Sequence, residues 1–242
     1  MQQILVVNSK GGAGKTTVST NLASYFDNQG IKTGLMDYDP QGSSLHWLKI
    51  RNASVDIDST IHGANAAKAK AGSLRSWQMN VPKDLGKLII DAPAGASGIL
   101  LQEVCARADV VIIPVAPSSI DVHATADFIK DLMLVGKVRR QFTRMAVVAN
   151  RVRTNEPTYE PLEKFLRSLQ IPFITRISDS LHFVKAAELG MGIYDLDPTL
   201  VEREKMDFLP LLKWIETCGE GFNKTRKIAT ISSLTSRRVL GS

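Results

Sequence analysis

The stretch Lys10-Gly11-Gly12-Ala13-Gly14-Lys15-Thr16-Thr17 constrains the fold more than any other part of the chain. It follows Gln3-Ile4-Leu5-Val6-Val7-Asn8, an apolar run that predicts a buried strand, and leads into Val18–Phe26, which predicts a helix. A strand, a glycine loop and a helix in that order form a phosphate cradle. The glycines let successive backbone N–H groups turn toward one anion, and the helix start adds the positive end of its dipole. Lys15 can reach β- and γ-phosphates, and the Thr16 hydroxyl can ligate Mg²⁺. The stretch also departs from the common P-loop. Ser9 stands where the first glycine is usual, and Lys10 adds a second lysine beside it, one more than a single triphosphate needs.

Apolar runs and helical patterns alternate through the chain. Further strands are predicted at Ile31–Asp37, Leu88–Asp91, Val110–Val115, Met145–Asn150 and Pro172–Thr175. Helices are predicted at Ser97–Arg107, Ile120–Arg139, Pro157–Leu169, Asp179–Leu189 and Arg203–Thr217, the last carrying Pro210 in its interior. The weakly patterned segment Ile50–Lys83 allows an Ala-rich helix over Thr60–Gly72. This alternation predicts an α/β fold, a doubly wound, mostly parallel sheet with helices on both faces. Ligands of such sheets bind beyond the carboxyl ends of the strands. That rule gathers Ser9–Thr16, Asp37–Gln41, Asp91–Gly95, Pro114–Ser118 and Asn150–Arg153 around one site.

Two acidic segments suit that site. Asp37-Tyr38-Asp39-Pro40-Gln41-Gly42 follows the second strand, and its two carboxylates can help hold the loop and metal and orient a water for in-line attack. Asp91, ending Leu88-Ile89-Ile90-Asp91, suits the Walker B role of holding Mg²⁺, and Pro93 and Gly95 after it make a bend that can sense a γ-phosphate.

Charge and cysteine content narrow the setting. The net charge is +6, and the segment from Gly219 to Ser242 carries Lys224, Arg226, Lys227, Arg237 and Arg238 against Glu220 alone. A basic end suits nucleic acid or anionic lipid, or is a solvated tail. We therefore expect a single domain over 1–218 and a basic tail over 219–242. The N-terminal residues lack the basic region of a signal peptide, and no apolar run approaches the length of a membrane span. The two cysteines, Cys105 and Cys218, lie far apart and suit a reduced cytoplasm.

Taken together, these motifs resemble the ParA/MinD family of deviant-Walker ATPases. The matching stretches are Lys-Gly-Gly-Ala-Gly-Lys-Thr-Thr at 10–17, Asp-Tyr-Asp-Pro-Gln-Gly at 37–42 and Ile-Ile-Asp-Ala-Pro at 89–93. Trp47 with Arg51, Pro114–Ser118, Asn150-Arg151-Val152, and Phe183, Ala186 and Gly190 resemble the short ParA branch, over about residues 2–217. Ala92 stands where relatives often have Thr or Ser, and Ser180 where many have Arg.

The resemblance implies a homodimer that sandwiches two ATP molecules, with Lys10 crossing to the partner's phosphates. It implies Gly11, Gly12, Ala13, Gly14, Lys15, Thr16 and Thr17 as the phosphate loop and Asn150 with Arg151 as adenine contacts. Thr16, Asp37 and Asp91 are then the Mg²⁺ set, and Asp39 positions the attacking water. It further implies a cytoplasmic, nucleoid-associated ATPase that binds DNA non-specifically in its ATP state. Lys185, Arg203, Lys205 and Lys213 are the DNA-contact candidates. Such an ATPase positions or partitions a cargo, released when a small ParB-like or cargo adaptor protein stimulates slow hydrolysis. The alternative is a MinD-like membrane switch using Ile228, Ile231 and Leu234, although the Thr- and Ser-rich tail is a poor helix former. A bridged iron–sulfur cluster is disfavoured because Cys105 has no second cysteine near a switch segment, and it reads better as a small core residue.

Overall fold

The computed structural model describes residues 1–55, 57–67, 81–117, 119–134, 143–153, 159–169 and 171–219. Seven strands form one sheet: β1 (Gln2–Val6), β2 (Thr33–Asp37), β3 (His62–Asn65), β4 (Lys87–Asp91), β5 (Val110–Val115), β6 (Arg144–Val152) and β7 (Phe173–Ser178). Their order is β3-β2-β4-β1-β5-β6-β7, and every pairing is parallel. The helices are α1 (Lys15–Asn28), α2 (Ser43–Ala53), α3 (Gly98–Arg107), α4 (Ser119–Leu134), α5 (Tyr159–Ser168), α6 (Leu181–Glu188) and α7, residues 202–219.

The central strands sort their side chains by the period of two. Ile4 and Val6 join Leu35, Ile89, Val110 and Ile112 in a core closed by α1, α2 and α7 through Val18, Leu22, Trp47, Phe208 and Ile215. Leu5 and Val7 join Met36, Ile90, Val111 and Ile113 on the opposite face, closed by α3, α4 and α5 through Leu101, Val104, Phe128 and Leu162. Burial on both faces explains why these strands read as unbroken apolar runs. α7 continues through Pro210, which cannot donate to the ladder, because Phe208, Leu211, Leu212 and Ile215 are all anchored in the core.

One expectation changes. His62–Asn65 forms an edge strand parallel to β2, not part of a helix. His-Gly-Ala-Asn has poor strand propensity, and pairing with β2 overrides it. The rest of that expected helix from 68 onward, Ser118, residues 135–139 and 157–158, and the tail from 220 lie outside the described residues. Among the described residues, no helix is long and apolar enough to cross a membrane.

The Trp47–Arg51 pair and the Phe183–Gly190 pattern turn out to be one joint. The Arg51 side chain is fully buried and pairs with Asp195 at 2.7 Å and Asp27 at 3.2 Å. Its Nη1 also donates to the Gly190 carbonyl, and Trp47 Nε1 donates to the Met191 carbonyl. Gly190 has φ of +67°, and a Cβ there would lie 2.2 Å from the Arg51 backbone nitrogen, so only glycine fits. Burial pushes the Asp195 carboxyl up, but the bonds from Arg51 and the Gly192 N–H outweigh it and hold the group below its ordinary value. This joint ties α1, α2 and the segment after α6 together. Removing one partner of a buried ion pair leaves the other charges unpaired, so Arg51→Leu is expected to cost about 3–5 kcal/mol in urea unfolding. A loss typical of a surface pair, under about 1 kcal/mol, would contradict this role.

Candidate functional site

Strand register builds the site. Val6, Asp91 and Asp37 lie side by side at the carboxyl ends of β1, β4 and β2. The segments leaving those ends are stitched together. Gly95 N–H donates to the Ser9 carbonyl at 2.8 Å, and Ala92 N–H to the Val6 carbonyl at 3.1 Å. Asn8 donates to the Pro114 carbonyl at 2.7 Å while its Oδ1 accepts from the Lys10 N–H at 3.1 Å. The loop that follows β1 is thus fixed to both neighbouring strands.

Gly14 is the hinge of that loop. Its φ is +84°, and a Cβ there would lie 1.9 Å from Asn150 Nδ2. α1 starts immediately after it, with no side-chain cap and no acidic residue in its first turn. The free N–H groups of such a helix start attract an anion. Lys15 is buried, and its Nζ donates to the Lys10 carbonyl at 2.9 Å. Desolvation lowers the Lys15 pKa, and Asp91 and Asp39 oppose that shift. The cation therefore rests inside the cradle against a weak backbone partner that a phosphate oxygen can outcompete.

Oxygen donors converge beside it. Thr16 Oγ1 donates to Asp91 Oδ2 at 2.9 Å, and Ser19 Oγ to Asp91 Oδ1 at 3.1 Å. Asp91 is almost fully buried. Burial, then the nearby Asp37 carboxylate, raise its pKa to about 7 against the pull of Thr16, Ser19 and Lys15. A hydroxyl and a carboxylate in this setting suit a hard divalent cation.

The other expected site residues occupy defined places. Asp37 is buried, and both oxygens are engaged: Oδ1 accepts from the Asp39 N–H, and Oδ2 from the Ser44 N–H and hydroxyl and the Leu45 N–H. It caps the start of α2 and holds the 38–42 turn. Asp39 is half-buried and accepts from the Gln41 N–H at 2.9 Å. Lys10 is half-buried in the same loop. Asn150 turns its carboxamide to the Ala13 carbonyl at 2.9 Å, clamping the loop. Arg151 is exposed with φ of +58°. Both border a cavity of about 590 Å³ that begins at Thr16 and Thr17 and runs between α2 and α6. Lys185, Arg203 and Lys213 are exposed, whereas Lys205 is half-buried with its ammonium 5.7 Å from the Tyr194 ring centroid. Ser180 caps α6 by accepting from the His182 N–H, and its hydroxyl bonds Glu204. Cys105 is buried in the core, and desolvation raises its thiol pKa to about 12, which fits a packing role.

Ser19, Ser44 and Asn8 escaped the sequence reading. Ser19 was detectable, because it lies three residues beyond Thr16 on the same helix face. Ser44 and Asn8 had no comparable signal, since their partners come from strand alignment.

A family model described as the CobQ/CobB/MinD/ParA nucleotide binding domain matches residues 4–193. The chain is 26% identical over 172 residues to the maintenance of carboxysome distribution protein A of Halothiobacillus neapolitanus, covering 71% of this chain and 76% of that one. It is 23% identical over 203 residues to the protein ParA of Rhizobium radiobacter, covering 84% and 79%. Its fold is similar to that of a plasmid partition protein of Borrelia burgdorferi bound to AMPPNP, with a TM-score of 0.69, 17% identity and coverage of 88% and 98%.

The Asp91 environment sets a pH dependence. Its folded pKa is raised above the unfolded value of 3.8, so between that value and about 7 the folded chain holds a proton that the unfolded chain releases. Stability therefore falls as pH rises across this window, by at most a few kcal/mol, and stays low above it. In chelator-containing buffer, Asp91→Asn is expected to raise Tm at pH 8 and to change it little at pH 4. An equal shift at both pH values would contradict this.

Proposed function

The chain belongs to the CobQ/CobB/MinD/ParA family of nucleotide-binding domains, and from that membership we propose that it is an ATP-driven, cargo-positioning ATPase. The observation that carries the proposal is the Lys15 ammonium held on the Lys10 carbonyl, at the uncapped start of α1 and beside the Thr16–Asp91 pair. That arrangement provides a cationic cradle and a hard-metal oxygen set in one place.

When ATP binds, its phosphates replace the Lys10 carbonyl as the partner of Lys15 and take the N–H groups of residues 11–17. Thr16 and Asp91 are the residues that would hold Mg²⁺, with Asp37 behind them fixing the loop. When bound there, the ion would supply positive charge to the phosphate oxygens. Asp39 orients the water for in-line attack, and the bond from the Gln41 N–H fixes its carboxylate. Lys10 extends to the phosphates of a second subunit, so that two copies enclose two ATP molecules and hydrolysis alone is slow. The Gly95 N–H bond to the Ser9 carbonyl links the segment after Asp91 to the loop, a route by which loss of the γ-phosphate loosens the pair.

The ATP-bound dimer binds DNA through phosphate contacts from exposed Lys185, Arg203 and Lys213, which makes binding salt-dependent and insensitive to sequence. A small adaptor protein on the cargo stimulates hydrolysis and release. The relatedness to a carboxysome distribution protein and to ParA supports cargo positioning as the cellular role.

Lys15→Ala is expected to abolish binding of fluorescent ATP. Asp39→Ala is expected to keep ATP binding and dimerisation but slow hydrolysis by about 100-fold or more, the scale of a lost proton-transfer partner. If Asp39→Ala turns over ATP at the wild-type rate, its assignment is wrong.

A further inference from the structure

Three consecutive polar residues of α1 are buried: Ser19, Thr20 and Asn21. A short polar side chain inside a helix commonly turns back to a carbonyl one turn earlier. Thr20 does so, its Oγ1 donating to the Thr16 carbonyl at 2.9 Å, and Asn21 donates to the Thr17 carbonyl at 2.8 Å. Ser19 differs. It is fully buried, and its hydroxyl reaches off the helix to donate to Asp91 Oδ1 at 3.1 Å.

Thr16 and Ser19 stand three residues apart on one face of α1 and divide the Asp91 carboxylate between them. Thr16 Oγ1 takes Oδ2 at 2.9 Å, and Ser19 takes Oδ1. Two bonds from one helix fix the plane of the carboxylate. Beside it, Asp37 has both oxygens engaged by Asp39, Ser44 and Leu45. A cation at Thr16 therefore meets the Thr16 hydroxyl and the Asp91 oxygen bonded to it, while Oδ1 is turned away to Ser19. Divalent cations differ in how well they accept so sparse a set. Ca²⁺ takes six to eight oxygens in flexible geometry and readily uses both oxygens of a carboxylate. Mg²⁺ is smaller, demands an octahedron, and is satisfied by one or two carboxylate contacts with phosphate and water completing the shell.

We propose that Ser19 sets the metal preference of the site: by holding Oδ1 it keeps Asp91 to a single oxygen toward the cation and so favours Mg²⁺ over Ca²⁺. This rests on the ATP reading above and adds a specificity-determining residue to it. Ser19 is a positioning residue, acting through Asp91. Without its hydroxyl the carboxylate can turn and present both oxygens, which the larger cation uses and Mg²⁺ does not need.

The test is equilibrium binding of ATP to the wild-type chain, Ser19→Ala and Ser19→Thr, with Mg²⁺ or Ca²⁺ as the sole divalent cation. The wild type is expected to bind ATP more tightly with Mg²⁺. In Ser19→Ala that preference is expected to fall by about 3–10-fold, the scale of one hydrogen bond. Ser19→Thr keeps a hydroxyl and is expected to keep the preference. Alanine is the strongest helix former, so α1 is retained in the first variant. A merely structural role for Ser19 would weaken binding with both cations alike and leave their ratio unmoved. If Ser19→Ala keeps the wild-type ratio, if Ser19→Thr loses it as alanine does, or if the wild type does not discriminate, the assignment of Ser19 falls while the ATP reading stands. If the wild type binds ATP with neither cation, the ATP reading itself falls, and this inference with it.

Discussion

The site depends on the burial of one carboxylate. Asp91 sits where β1, β4 and β2 end side by side, with Asp37 across the register from it and little access to water. Two carboxylates so placed repel each other, and each needs donors to remain there. Asp37 takes four donor bonds from the start of α2 and the turn before it. Among the described residues, Asp91 receives the Thr16 and Ser19 hydroxyls alone, and its pKa rises to about 7. The structure therefore holds one well-satisfied carboxylate and one under-satisfied carboxylate beside a phosphate cradle. The second is where a bound cation has most to gain.

The loop before α1 is shaped to the same end. Gly14 must adopt a left-handed conformation and leave room for Asn150, which bonds the Ala13 carbonyl. Asn8 and Ser9 secure the other side to β5 and to the segment after β4. Rigidity on both flanks leaves the Lys15 side chain as the adjustable part. Its contact with the Lys10 carbonyl is worth little beside a charge-assisted bond to phosphate. The Arg51 joint extends this order to the cavity walls, because α2 and the end of α6 are locked to each other and to α1 through Asp27 and Asp195.

Much of this was legible in residues whose chemistry is local. The glycine loop, the strand-end aspartates and the doubly buried strands announce themselves through spacing and apolar runs. What stayed hidden depends on alignment between distant strands. His62–Asn65 has no strand signal of its own and is a strand only because β2 offers it an edge. Asp37 reads as part of the metal set from its position, and only the fold shows that Asp39, Ser44 and Leu45 donate to its oxygens. Asn150 reads as a base contact, and the fold shows in addition that its amide donates to the Ala13 carbonyl of the loop. Arg51 and Gly190 could be noticed as pattern members, but their shared role needs the 2.2 Å approach that the fold imposes.

On the proposed function, the two lysines of one loop serve two different subunits. Mixing Lys10→Ala with Asp39→Ala tests it most directly, because each variant alone has two defective sites. In a mixed dimer, one site would join an intact Asp39 to an intact Lys10 from the other chain. The expected result is ATP hydrolysis in the mixture well above the sum of the two proteins measured separately. Hydrolysis equal to that sum, with mixed dimers shown to form by differential tagging, would contradict the two-subunit role of Lys10.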